Sequence, residues 1–271
     1  MKIFINEQQL RYIIKEELGI LQDVYDEALR VYDLILEDLP NRDKEKYNSS
    51  FIAQKGSVKS ELDGHVFNIN YCYRNIINKE MIDEYGEENL ITGGSAYLGK
   101  YHVICNINFY GINGSIVKNK TIELIQHELE HILQEFRSQK TIPNNKFYAK
   151  MRGDMESPNE KRRKIGRLIY GCIKSEQEGF VNGLYSFCMV DDNDAPPYDY
   201  NNIKNSEAGK LYNEISSIFD ELKTDEEMCD ILKEYKWSIN KVKKNIENFI
   251  KRIGRVLIKV NKDKLNNGWR I

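Results

Sequence analysis

The densest hydrophobic patterning in the chain runs from Thr121 to Phe136, TIELIQHELEHILQEF. Here Ile122, Leu124, Ile125, Leu129, Ile132, Leu133 and Phe136 recur at helical spacing. They cover most of the circumference, so the pattern predicts a buried helix. Upstream, His65 to Tyr73 alternates, with His65, Phe67, Ile69, Tyr71 and Tyr73 on one face, and predicts a half-buried strand. Tyr101 to Tyr110 (YHVICNINFY) predicts a second strand just before the buried helix. At the start of the chain, one helix is expected from Glu7 to Leu18, capped by Asn6 and ended by Gly19. Another follows from about Ile20 to Leu39, stopped by Pro40. Between these elements, Asn41 to Gly64 reads as polar and turn-rich, Ile76 to Tyr85 as a short helix, Thr92-Gly93-Gly94 as a turn, and Lys140 to Gly153 as a loop.

In the second half, Ser157-Pro158-Asn159-Glu160 offers a capping serine followed by proline. It opens a helix running to about Met189, with Gly171 as a place where it can break. Residues 191–205, DDNDAPPYDYNNIKN, read as a linker. Beyond it, Ser206 to Leu232 and Trp237 to Val260 predict two amphipathic helices, the second with Val242, Ile246, Phe249, Ile253 and Leu257 on one face and lysines on the other. The expected class is α+β, mostly helical, with a small mixed sheet beside the central helix. The expected segments are an N-terminal helical stretch (1–40), a central domain (41–190), the linker (191–205) and a helical C-terminal extension packed on the domain (206–271).

Charge and composition narrow the options. A formal net charge of −2 over 271 residues gives no whole-molecule field for nucleic acid. No apolar run approaches the roughly 18 residues that a membrane span requires, and the N-terminus lacks the apolar core of a signal peptide. The five cysteines are scattered, odd in number and without a C-x-x-C pair. They read as buried thiols in a reducing, cytoplasmic setting rather than as disulfides or zinc ligands. Oligomeric state leaves no trace in the sequence.

The chemistry sits in the buried helix, which contains His127-Glu128-Leu129-Glu130-His131. Residues four apart share a helix face, so the two imidazoles point the same way at chelating distance. Glu128, about 100° round the axis, is close enough to hold a water beside a bound metal but badly placed to be a ligand itself. Buried histidines beside a buried glutamate need a partner to offset desolvation, and a metal ion is the simplest. His65, at a strand start, reads as an ordinary exposed or hydrogen-bonded histidine. Further along, Glu176 is centred in the stripe Ile165, Ile169, Cys172, Ile173, Phe180, Leu184 and Phe187, whereas Glu178 lies nearer the polar side. A carboxylate in an apolar stripe must be neutral, paired or metal-bound.

HELEHILQ resembles the active-site helix of the zincin metallopeptidases. The third histidine of the metzincin extension is absent, and Ile-Leu-Gln-Glu-Phe-Arg follows His131 instead. This leaves the gluzincin type, in which a glutamate on a later helix completes the site. That family places a small residue three positions after the ligand. Gly179 satisfies this for Glu176, while Val181 stands there for Glu178, so Glu176 is the preferred third ligand. Phe180 occupies the place of the family's usual aspartate, which leaves the outer hydrogen bond to a ligand histidine unassigned. The resemblance implies a Zn²⁺ ion held by His127, His131 and Glu176, and a metal-activated water with Glu128 as general base. It further implies a peptide or protein substrate stretched along the strand before the helix, facing Ile104 to Asn108. Tyr185 and His102 are open candidates for stabilising the oxyanion. The alternative class is a zincin fold that binds or scaffolds a partner with little or no cleavage.

Overall fold

The computed structural model describes residues 7–46, 51–76, 93–98, 103–112, 115–116, 118–138, 145–190 and 200–266. Helix α1 (Glu7–Asp38) leads into a sheet built from β1 (Glu45–Lys46), β2 (Phe51–Leu62), β3 (His65–Ile76), β4 (Gly93–Leu98), β5 (Val103–Ile112) and β6 (Ser115–Ile116). The helices α2 (Lys118–Ser138), α3 (Asn145–Met155), α4 (Glu160–Gly171), α5 (Lys174–Val190), α6 (Tyr200–Ile203), α7 (Glu207–Leu222), α8 (Glu226–Glu234) and α9 (Ile239–Asn266) follow. The class is α+β, as expected: mostly helical, with a small mixed sheet and a C-terminal helical end.

Sheet order is β1-β2-β3-β5-β4, with β6 turned back onto β5. All pairs are antiparallel except β3 with β5, where Ile69 sits opposite Cys105 and Tyr73 opposite Phe109. The inner face is apolar, with Phe67, Ile69, Tyr71, Tyr73, Cys105, Ile107 and Phe109 all buried. The outer face is polar, and Asn70 donates to Asn106, which donates in turn to Ser95 across three strands. Helix α2 lays Ile122, Ile125, Leu129, Ile132 and Leu133 into a core that continues without interruption from Val24 in α1 to Val260 in α9.

Several expectations change. Helix α1 is continuous through Gly19, one isolated glycine costing only about 1 kcal/mol in a helix of 32 residues. The supposed turn-rich stretch before Gly64 contains a full strand, β2, paired with β3 along its whole length. A two-residue turn joins them: Asp63 and Gly64 both have positive φ (53° and 75°), the combination that suits a tight hairpin. Asp38 at the end of α1 accepts from Tyr71 (2.7 Å), and Glu27 accepts from Ser60 (2.6 Å), fastening the hairpin to α1. Gly93 and Gly94 begin strand β4 instead of making a turn.

Residues 145–153, expected as loop, lie in α3, where Met151 is buried and Lys150 pairs with Asp154 (2.8 Å). Asn159, not Ser157, caps α4, accepting from the Arg162 amide at 3.0 Å. The long helix does break at Gly171, between α4 and α5. Tyr200–Ile203 is helical, with Ile203 fully buried, so the end of the supposed linker is part of the packed structure. Ser206 to Leu232 divides into α7 and α8, and Asp225 caps the second. Of the helix expected from Ile76 to Tyr85, Ile76 is instead the last residue of β3 and 77–85 lie outside the described residues, as do Asn6 and 191–199.

Candidate metal centre

Two long helices meet at the site. His127 and His131 project from the middle of α2, and Glu176 from the first turn of α5. One ligand atom from each lies within 4.8 Å of the others. The two Nε2 atoms are 3.0 Å apart, and Glu176 Oε2 is 3.5 Å from that of His131 and 3.9 Å from that of His127. A tetrahedral zinc with bonds of about 2.1 Å sets its ligand atoms about 3.4 Å apart. The observed triangle brackets that spacing. Glu178, the other candidate, instead faces Lys174 (3.3 Å), Arg252 (3.6 Å) and Gln134 (3.4 Å).

The imidazole of His127 is held from outside. It donates to the Gly179 carbonyl, which leaves the lone pair of Nε2 facing the site. That main-chain oxygen fills the role the sequence left unassigned. Only glycine allows the approach, because a Cβ at 179 would stand 2.8 Å from Cε1 and 2.9 Å from Nδ1 of the ring. Phe180, in the place of the expected aspartate, packs its ring against His127 with centroids 4.5 Å apart. Burial, helped by neighbouring His131, pushes His127 down to about 3, so it is a neutral imidazole with a free electron pair. Burial acts the same way on His131, but the hydrogen bond and charge of Glu176 outweigh it and carry it up to about 9. Glu176 is correspondingly lowered despite its own burial.

Glu128 is buried against β4 and β5. Desolvation raises its pKa to about 7, with His131 pulling down and Glu176 pushing up. Its Oε2 has no hydrogen-bond partner. A neutral imidazole, a second imidazole paired with a carboxylate, and a buried carboxyl oxygen awaiting a donor form a donor set that fits zinc with water beside it. A cation among these groups offsets the cost of burying them.

Other side chains complete the surroundings. Tyr170, at the end of α4, is raised well above the usual tyrosine range by burial and by the nearby charge of Glu176. Gln177, next to Glu176, donates to the carbonyls of Gly171 (2.9 Å) and Asn245 (3.2 Å) and accepts from Arg252 (2.9 Å), tying the start of α5 to α9. Neither residue carried a recognisable signal, since both act across chain reversals that spacing rules do not reach. Tyr185 is not at the site: its hydroxyl meets Gln22 and Asp263, each at 2.7 Å, between α1, α5 and α9. His102 lies outside the described residues. His65 stacks on Phe136 at 4.2 Å, away from the cluster.

The strand beside the site is β4, not β5. β5 is paired on both sides, with β3 and β4, so Ile104 to Asn108 cannot receive an added strand. β4 ends the sheet among the described residues, and its Gly94 lies against the Glu128 carboxyl group. No described helix is long and apolar enough to cross a membrane, and all five cysteines are free thiols. Comparison of the chain with protein-family models finds no match, and comparison with curated proteins and with solved structures finds no significant one.

Proposed function

We propose that the chain is a zinc-dependent metallopeptidase of the gluzincin type, with His127, His131 and Glu176 as ligands and Glu128 as general base. The observation that carries this reading is the convergence of two imidazole nitrogens and a carboxylate oxygen, from two helices, within 4.8 Å. A bound zinc ion supplies Lewis acidity, toward a water and toward a peptide carbonyl. Glu128 takes the proton of the attacking water at its unpartnered Oε2 and passes it to the departing amine nitrogen. Among the described residues the outer edge of β4 has no partner strand, so its main-chain groups are where an extended peptide would pair, with the scissile bond near Glu128.

Metal analysis of the purified protein and an assay on an unfolded protein substrate test the reading together. About one zinc per chain is expected. Glu128→Gln is expected to keep the metal and to lose at least about 10²-fold in turnover. Absence of stoichiometric zinc, or undiminished cleavage by Glu128→Gln, overturns the assignment. Stoichiometric zinc with no cleavage by the wild type selects the binding or structural alternative.

A further inference from the structure

We infer that Gln134 is a positioning residue of the metal centre: its side-chain oxygen holds His131 in the tautomer that turns Nε2 toward the metal, and Glu178 in turn holds Gln134. The inference rests on the metal-site reading above and extends it to two residues outside the H-E-x-x-H pattern and its glutamate.

Gln134 follows Glu130 by four positions and His131 by three on α2, the spacings at which helical side chains meet. Its Oε1 lies 3.5 Å from His131 Nδ1. Its Nε2 lies 3.4 Å from Glu130 Oε1 and, across the gap to α5, 3.4 Å from Glu178 Oε2. Contacts of this length are individually weak, and it is their direction that matters. A side-chain amide fits either way round, and its neighbours decide which end is which. Two carboxyl groups stand at one end of this amide. Glu178 is flanked by Lys174 (3.3 Å) and Arg252 (3.6 Å), and a carboxylate between two cations only accepts. The NH₂ group of Gln134 therefore faces Glu178, which leaves the amide oxygen facing His131. That oxygen has nothing to donate, so Nδ1 of His131 must carry a hydrogen. The lone pair available to a metal is then on Nε2, the atom 3.0 Å from His127 Nε2 and 3.5 Å from Glu176 Oε2.

The same arrangement gives Glu178 a task. Glu176 and Glu178 leave the first turns of α5 in different directions, one to the histidine pair and the other to the Gln134 amide. Arg252 of α9 faces Glu178 and also donates to the Gln177 side-chain oxygen at 2.9 Å, so the carboxylate that orients Gln134 is itself tied down. The amide thus joins α2 to α5 beside the site and sets the ring of one while doing so.

Gln134→Met tests this, since methionine has a similar length and helix propensity and no amide. Gln134 is only half-buried, so the metal-free variant should melt close to wild type. Outer partners of a ligand histidine account for about 10–100-fold in metal affinity, and long contacts belong at the low end. The zinc Kd, measured by competition with a chromophoric chelator, should therefore rise about 10-fold. Nitrogen NMR of the zinc-loaded wild type should show His131 protonated at Nδ1 and coordinated through Nε2. Coordination through Nδ1, or wild-type zinc affinity in Gln134→Met, overturns the positioning role and leaves the metal site standing. A wild-type protein that binds no zinc overturns the inference together with the site beneath it, and the wild-type titration alone tells that failure apart.

Discussion

Gly94 on β4 and Glu128 on α2 are packed so closely that a Cβ at residue 94 would stand 2.6 Å from the Glu128 carboxyl carbon. The glycine is thus part of how the Glu128 carboxyl group, the proposed base, is placed. The crowded atoms are the carboxyl group and Cγ of a glutamate, whose rotatable bonds let the side chain shift to make room. Gly94→Ala should therefore leave the melting temperature and zinc content near wild type while moving the carboxyl group off its position. Displacement of a reacting group by about 1 Å is worth on the order of 10²-fold in rate. Steady-state kinetics on Gly94→Ala should show a fall in kcat approaching that size. Wild-type kcat would show that the base does not depend on this contact.

Glu123, one turn before His127, carries the clearest pH signature outside the site. It is buried, Oε1 accepts the Glu207 amide at 2.9 Å at the start of α7, and Oε2 has no partner. Desolvation and the charge of Glu207 raise it to about 8, against the weaker pull of that amide, Lys120 and Lys210. Between the ordinary carboxyl value of 4.5 and about 8, the folded state holds a proton that the unfolded state has released. Stability must then fall as pH rises through that window, its contribution being complete below about 4.5 and lost above about 8. Glu123→Gln keeps the acceptor for Glu207 and removes the charge. It should match wild type near pH 5 and melt higher at pH 8, by about 2–4 °C for each kcal/mol recovered. Parallel melting curves for the two proteins across this range would contradict the assignment.

Tyr185→Phe separates architecture from chemistry. Loss of the hydroxyl removes its bonds to Gln22 and Asp263. A net cost of about 1–2 kcal/mol is expected in denaturant unfolding. Zinc affinity and kcat should be unchanged, whereas an oxyanion-stabilising tyrosine would lose turnover without losing stability.

What could be read from the chain and what could not divides along physical lines. The α2 motif, the inner face of β3 and the α9 stripe all follow from periodicity within one element, which sequence spacing records directly. Glu176, which the structure places beside the two histidines, is preferred to Glu178 from an apolar stripe that the break at Gly171 divides and from a resemblance. Strand β2 escaped because its solvent face is Lys55, Ser57, Lys59 and Glu61, whose polarity imitates a loop. The one clear signal, Asp63-Gly64 as a hairpin turn, lies at its end. β4 was obscured by its glycines, one of which is there to admit Glu128. The oxygen that orients His127 belongs to the main chain of Gly179, and main-chain groups have no letter in a sequence. Tyr170 depends on a chain reversal, so its neighbour is fixed by tertiary packing alone.

The three proposed ligands do not share one anchorage. Both imidazoles ride on α2 against the sheet, while the start of α5 that bears Glu176 is clamped to α9 through Gln177, Asn245 and Arg252. Fraying that begins at the C-terminal end therefore reaches the carboxylate before it disturbs the histidine pair. On the proposed reading, loss of the metal and global unfolding are then two separate events, the first leaving the histidine pair on a helix that is still intact.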